Sequence, residues 1–234
     1  MVSQSGELQS KLAAMQSAEV GTKFMNKIPE LLCLTLALSS CGVLHVNEYS
    51  DLMKGALFGA EDILIDQQFH DNQKFSFAKV RLGRNNIATL TLGLMQKDSL
   101  QWFSSSQSSI ITKNGRIINL TDFSHDMSIS NPPIIVFKKD MKQVNSLGIT
   151  LKDPEAFFIQ DSAITHERSE KIEHLSKLLD VELYLERVTT KGLHWNFTNK
   201  YWVDPASGMV IQSEQTVHPR LPTISISYYY KYLD

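Results

Sequence analysis

The stretch that decides the fold is "SIITKNGRIINLT", residues 109–121. Ile110-Ile111 and Ile117-Ile118 flank Asn114-Gly115. A tight two-residue turn of the kind that closes a hairpin needs positive φ at both central positions, and Asn-Gly meets that demand at least cost. The spacing therefore predicts an antiparallel strand pair about that turn. Upstream, "KFSFAKVRLG" (74–83) and "IATLTLGLMQ" (87–96) read as strands separated by the turn-rich Arg84-Asn85-Asn86. Downstream, Pro132-Pro133 interrupts and "IIVF" (134–137) reads as a strand, with further strands expected near 147–151 and 156–160.

Towards the C-terminus, "VELYLERVT" (181–189), "GLHWNFTNKYWVD" (192–204) and "MVIQSEQTV" (209–217) continue the pattern, the last two joined by the loop "PASG" (205–208). The chain closes on "TISISYYYKYL" (223–233), where Ile224, Ile226, Tyr228 and Tyr230 alternate and Tyr229 falls on the other face. One segment reads as a helix: in "THERSEKIEHLSKLL" (165–179), Ile172, Leu175, Leu178 and Leu179 fit helical spacing. Earlier, a short helix is expected near Tyr49 to Phe58 and a first strand around 62–67. About ten strands with one or two short helices predict a mainly β fold, an antiparallel barrel or sandwich-like sheet.

Residues 31–42, "LLCLTLALSSCG", carry a different message. The apolar run from Ile28 to Ala37 is too short to span a bilayer, which takes about 20 residues. Led by Lys27 and closed by small residues, it has the layout of a secretory signal. Its end, Leu38-Ser39-Ser40-Cys41, resembles a bacterial lipobox, which implies cleavage before Cys41 and acylation of that cysteine. Several acyl chains anchor far more firmly than one, at about 0.8 kcal/mol per buried methylene. Met25-Asn26-Lys27 would make a conventional start, so residues 1–24 are read as an upstream extension, 25–40 as the signal, 41–60 as a lipidated tether and 61–234 as a single β-rich domain. Gly42 in place of Asp after the cysteine resembles the sorting pattern of outer-membrane lipoproteins.

The formal net charge is −2, which lacks the basic footprint that nucleic acid requires. Cys33 would leave with the signal and Cys41 would carry lipid, so no disulfide is expected. No catalytic residues, metal ligands or cofactor are expected. His166, Glu170 and His174 stand four apart, a spacing that on a helix could hold a metal, but the predicted face is solvated. The serines between 104 and 109 include no nucleophile elbow. Glu61-Asp62 would point to opposite faces of a strand. The aromatic residues read mostly as core.

Four stretches, "LFGAEDILI", "RLGRNNIATLTL", "LQWFSSSQSSIITKNGRI" and "NKYWVDPASGMVIQSEQTVHPRLPTISI", together resemble the YjbF/GfcB family of bacterial lipoproteins. The marks fall on Trp102, Ser104, Thr112, Gly115, Arg116 and Ile117, then on Asn199, Tyr201, Trp202, Val203, Asp204, Gly208, Val210, Ser213, Gln215 and Pro219. The chain departs from the family's usual Thr-x-Gly-Leu after the hairpin, carrying Leu120-Thr121-Asp122-Phe123. The resemblance implies a β-rich, outer-membrane-anchored periplasmic lipoprotein acting as a non-enzymatic accessory of capsule or exopolysaccharide secretion. Its implied partners are outer-membrane lipid through acylated Cys41, polysaccharide-export proteins including an outer-membrane β-barrel, and glycan. Trp102, Arg116, Trp202, Asp204 and Tyr229 are the candidate glycan or partner surface. Two other functions compete: a half-barrel carrier of lipid or lipid-linked glycan, which needs an apolar cavity, and a glycan-modifying enzyme, which needs a convergent pair of carboxylates or a carboxylate and a His.

Overall fold

A computed structural model describes residues 65–84 and 86–231. Cys41 and the expected signal, tether and 49–58 helix lie outside the described residues, as does most of the strand expected around 62–67. Of that strand, Asp66 instead caps a short helix, α1 (Gln67–Asn72), accepting a hydrogen bond from the Phe69 amide at 2.7 Å.

Twelve strands follow: β1 (Phe77–Leu82), β2 (Asn86–Gln96), β3 (Ser99–Phe103), β4 (Ser109–Lys113), β5 (Arg116–Thr121), β6 (Met127–Ser130), β7 (Gln143–Leu151), β8 (Ala156–His174), β9 (Lys177–Thr190), β10 (Asn196–Val203), β11 (Val210–Gln215) and β12 (Ile224–Tyr229). Each pairs antiparallel with its neighbours in sequence, and β1 pairs with β12, so the sheet closes as an up-and-down barrel. Closure leaves no free edge. Alternation along the strands sets the inner face: Ala78 and Val80 on β1, Ile110 on β4, and Ile224, Ile226 and Tyr228 on β12 belong to one buried core.

The barrel has two unlike ends. At one, the loops between strands are tied to each other: Gly83 N donates to Thr223 O at 3.0 Å, Lys152 N to Asp126 O at 2.9 Å, and Ser108 Oγ to Asp122 O at 2.9 Å. At the other, which we call the mouth, stand α1, the hairpin tips β2–β3 and β4–β5, the long β6–β7 connection and the β10–β11 turn.

The expected antiparallel barrel is found, with twelve strands among the described residues where about ten are expected. Two expectations need correction. The helix expected over 165–179 is the outer part of the β8–β9 hairpin, a two-stranded ribbon paired from His166↔Tyr184 to His174↔Lys177 with one bulge between His166 and Arg168. Its turn is Leu175-Ser176, both at positive φ (51° and 58°). The "IIVF" segment is not a strand. Pro132 and Pro133 supply no N–H, and the Gln143 side chain takes the place of a neighbouring strand, accepting from Val136 N at 2.8 Å and donating to Ile134 O at 2.7 Å. The segment crosses the mouth instead and drops Ile135 into the core, while Phe137 packs on Tyr184 and Tyr201 at 5.0 and 5.4 Å between ring centroids.

Candidate functional site

The Asn114-Gly115 turn leans inward, across the barrel. Gly115, at φ +77°, lies so close to β11 that a Cβ there would come within 2.5 Å of Val210. Its carbonyl accepts from Gln215 Nε2 at 2.8 Å and from the Tyr228 hydroxyl at 3.2 Å. Gln215 Oε1 in turn accepts from Ile117 N at 2.9 Å. Gln215 therefore behaves as an extra rung between β5 and β11, strands that are not neighbours in the sheet.

Arg116 follows the turn, and its first-strand position points it into the barrel. Nη2 forms an ion pair with Glu186 on β9 and reaches Ser162 Oγ at 3.4 Å. The other oxygen of Glu186 accepts from the Tyr201 hydroxyl at 2.7 Å and Asn199 Nδ2 at 3.1 Å. Both charged side chains are sealed from water, at 4 % and 2 % exposure. Burial opposes the guanidinium charge, but the Glu186 carboxylate outweighs that and raises the Arg116 pKa. Burial, then the Glu186 charge, pushes the Tyr201 phenol well above its usual value, so it stays a donor. Beside the cluster is a cavity of about 20 Å³, room for roughly one water. Arg116 Nη1, buried and without a hydrogen-bond partner among the described residues, belongs to its lining.

That filling answers the carrier expectation in its original form. Among the described residues the barrel interior is filled by core side chains, and the cavity beside Arg116 has room for a water, not for an acyl chain or a sugar. A larger hollow, about 520 Å³, lies at the mouth. Its floor is Gly115 and Val210; its walls are the β2–β3 tip with Met95, the crossing segment with Ile134 and Val136, and Met209 and Tyr230.

The mouth also holds a carboxylate–histidine pair. Glu182 meets His166 Nε2 at 2.7 Å, Lys139 Nζ at 2.8 Å and Ser169 Oγ at 2.8 Å. Lys139 chiefly, helped by Ser169 and His166, holds the Glu182 pKa down to about 2. So held, the carboxylate carries its charge near neutrality and serves as an ion-pair partner. Its role here is to pin the crossing segment and β8 to β9.

On the outer wall, the β8–β9 ribbon bends at a bulge between His166 and Arg168 and folds back over the barrel. Glu170 accepts from Trp202 Nε1. His174 stacks on Tyr229 at 4.8 Å and 14°, Tyr229 stacks on Phe77 at 4.8 Å, and Leu175 packs against the same cluster. The ribbon thus spans from β10 to β1 as a clasp. His166, Glu170 and His174, being on a strand, are separated by roughly 13 Å per four residues and do not converge.

The five candidate surface residues divide accordingly. Trp102 and Arg116 are inside the barrel, Trp102 donating to Thr112 Oγ1 at 3.0 Å. Trp202 and Tyr229 are on the outer wall but buried under the ribbon. Asp204 closes the β10–β11 turn, accepting from Ala206 N at 3.0 Å and Ser207 Oγ at 2.7 Å, with Gly208 at φ +72°. The five do not form one open surface. The motif residues nonetheless meet: Gly115, Arg116, Ile117, Asn199, Tyr201 and Gln215, from stretches some eighty residues apart, form one cluster. Glu186 at its centre escapes sequence reasoning because "ELYLERVT" alternates on two plausible faces.

Comparison with known proteins fits this picture. Residues 50–228 match the family described as "Group 4 capsule polysaccharide lipoprotein gfcB, YjbF". The chain is 22% identical over 200 residues to the uncharacterized lipoprotein GfcB of Escherichia coli (strain K12), covering 79% of this chain and 90% of that protein. It shares its fold with the crystal structure of the lipoprotein YmcC from Escherichia coli K12, at a TM-score of 0.63 and 18% identity, covering 78% of this chain and 95% of that one.

Proposed function

The chain belongs to the YjbF family of group 4 capsule polysaccharide lipoproteins, and from that membership we propose a non-enzymatic accessory factor of capsule or exopolysaccharide secretion. It is anchored in the outer membrane by acylated Cys41, after removal of residues 25–40, with the barrel in the periplasm on the 41–60 tether. Its partners are polysaccharide-export proteins, among them an outer-membrane β-barrel, and the glycan itself.

One observation carries the non-enzymatic reading. The motif residues are spent on a sealed internal brace, and the mouth hollow beside them is mainly apolar. Such a brace fixes the shape of a contact surface, and contact is what an accessory factor offers. The test is genetic and biochemical. Deleting the gene should abolish surface polysaccharide; the intact chain should restore it, Cys41→Ala should not, and Met209→Asp in the mouth should restore it poorly. Unaltered polysaccharide on deletion overturns the reading.

The mouth hollow also favours a modified form of the carrier reading, in which lipid or lipid-linked glycan is held at the mouth and not within the barrel. Lipid co-purifying with the intact chain, and lost in Met209→Asp, distinguishes it.

A further inference from the structure

Large apolar side chains left exposed are not spread evenly over the barrel. Phe75 (62 %), Leu94 (50 %), Met95 (53 %) and Ile134 (56 %) stand at the mouth, with Phe69, Val136, Met141 and Val144 beside them; Leu178 is on the ribbon, and Phe103, Phe157 and Leu193 are near the laced end. The first four come from three separate pieces of chain, the approach to β1, the β2–β3 tip and the crossing segment, yet they form one rim. Met95 joins them, because it borders both the 520 Å³ hollow and a second of about 330 Å³ beside Phe75 and Leu94. Exposed lysines, Lys74, Lys97, Lys138 and Lys142, are interleaved with them and outnumber the exposed carboxylates on the same three pieces, Asp98, which pairs with Lys113, and Asp140.

We infer that the mouth is the face that seats on the bilayer, its apolar tips entering the headgroup region and its lysines meeting anionic lipid. The inference rests on the anchored reading above. Ile65, where the described residues begin, packs against Phe77 and Tyr229 at the mouth. Roughly two dozen residues separate it from Cys41, a reach of up to ~80 Å when extended. A tether that long lets any face touch the membrane, so the rim chooses the face. Separate apolar tips with cations between them suit a soft, anionic, planar partner, which needs no matching shape. A protein partner would instead call for a continuous complementary patch.

The test uses the full chain, extracted from cells with its acyl chains and reconstituted in phosphatidylethanolamine–phosphatidylglycerol vesicles whose lipids carry brominated tails. Ile134→Trp and Met95→Trp report the rim, Phe157→Trp the far end, and the unsubstituted chain the background from Trp102, Trp195 and Trp202. All three positions are exposed, so the substitutions leave the core intact. Most of the added emission should be lost for Ile134→Trp and Met95→Trp, and none for Phe157→Trp. If vesicles float with the chain and the rim tryptophans are no more quenched than Phe157→Trp, whether because a second copy or an upstream segment covers them, the inference is overturned. A chain that fails to float, with its Cys41 thiol bare, overturns the anchored reading and this inference with it.

Discussion

The inside of the barrel and its outer wall hold titratable groups against aromatic rings in opposite ways. Inside, Arg116 and Glu186 are sealed from water and tied to Tyr201, Asn199 and Ser162. Outside, Glu170 and His174 hold the ribbon to Trp202 and Tyr229 within reach of solvent. A sealed pair punishes the loss of either member, because the survivor is stranded as a buried charge. A half-exposed contact can be made and broken, since water takes over when it opens. The first fixes a shape; the second is a fastening.

The sharpest way to break this contrast is inside. Arg116→Ala should destabilise the barrel by about 3–5 kcal/mol in denaturant unfolding, whereas the double substitution Arg116→Met with Glu186→Leu should recover most of that. Equal loss in both would mean the pair does more than neutralise itself. Next comes the turn. Gly115→Ala meets both a positive φ and the Val210 side chain, and should cost about 3 kcal/mol by the same measurement. Gly208→Ala, at a similar φ but in open space, should cost only about 1 kcal/mol.

The outer clasp should respond to acid. Burial against Tyr229, with further opposition from His70 and Lys79, lowers the His174 pKa from 6.5 to about 4. The unfolded or peeled ribbon therefore binds the proton more readily than the clasped one. Clasp stability is complete above pH 6.5 and falls as pH drops towards 4, by about 1–2 kcal/mol at a half-buried site. Glu182, whose pKa is held near 2 chiefly by Lys139, adds a second loss below about pH 4.5. Amide exchange along 170–181 should quicken over that range while the Arg116 strand stays protected, and His174→Phe should flatten the upper part of the response. The smallest effect is expected at Leu178→Lys, on the exposed side of the ribbon, within about 0.5 kcal/mol in the same unfolding experiment.

Turn chemistry made part of this molecule legible from sequence. Asn114-Gly115 and Asp204 to Gly208 announce their hairpins, and Ile224, Ile226 and Tyr228 show their inward face by alternation. The ribbon turn gives no such notice: Leu175 and Ser176 adopt positive φ without a Gly or Asn between them. Ile172 and Leu179, which imitate a helical stripe, are cross-strand partners. Likewise alternation shows that β9 has two faces but not that Glu186 takes the inner one, because only Arg116, seventy residues away in sequence and opposite in space, makes that choice favourable. A crossing segment that borrows Gln143 as its partner is also invisible to strand periodicity.

The seam between β1 and β12, from Phe77↔Tyr229 to Leu82↔Ile224, joins the first strand to the last. A growing or translocating chain therefore cannot finish its ring until β12 has emerged, and β1 waits with one unsatisfied flank throughout. Loop-closure entropy makes such a distant pairing late and slow. Loss of β12 alone would leave two raw flanks at once, on β1 and β11, so clipping within Ile224–Tyr229 would do the ring disproportionate harm.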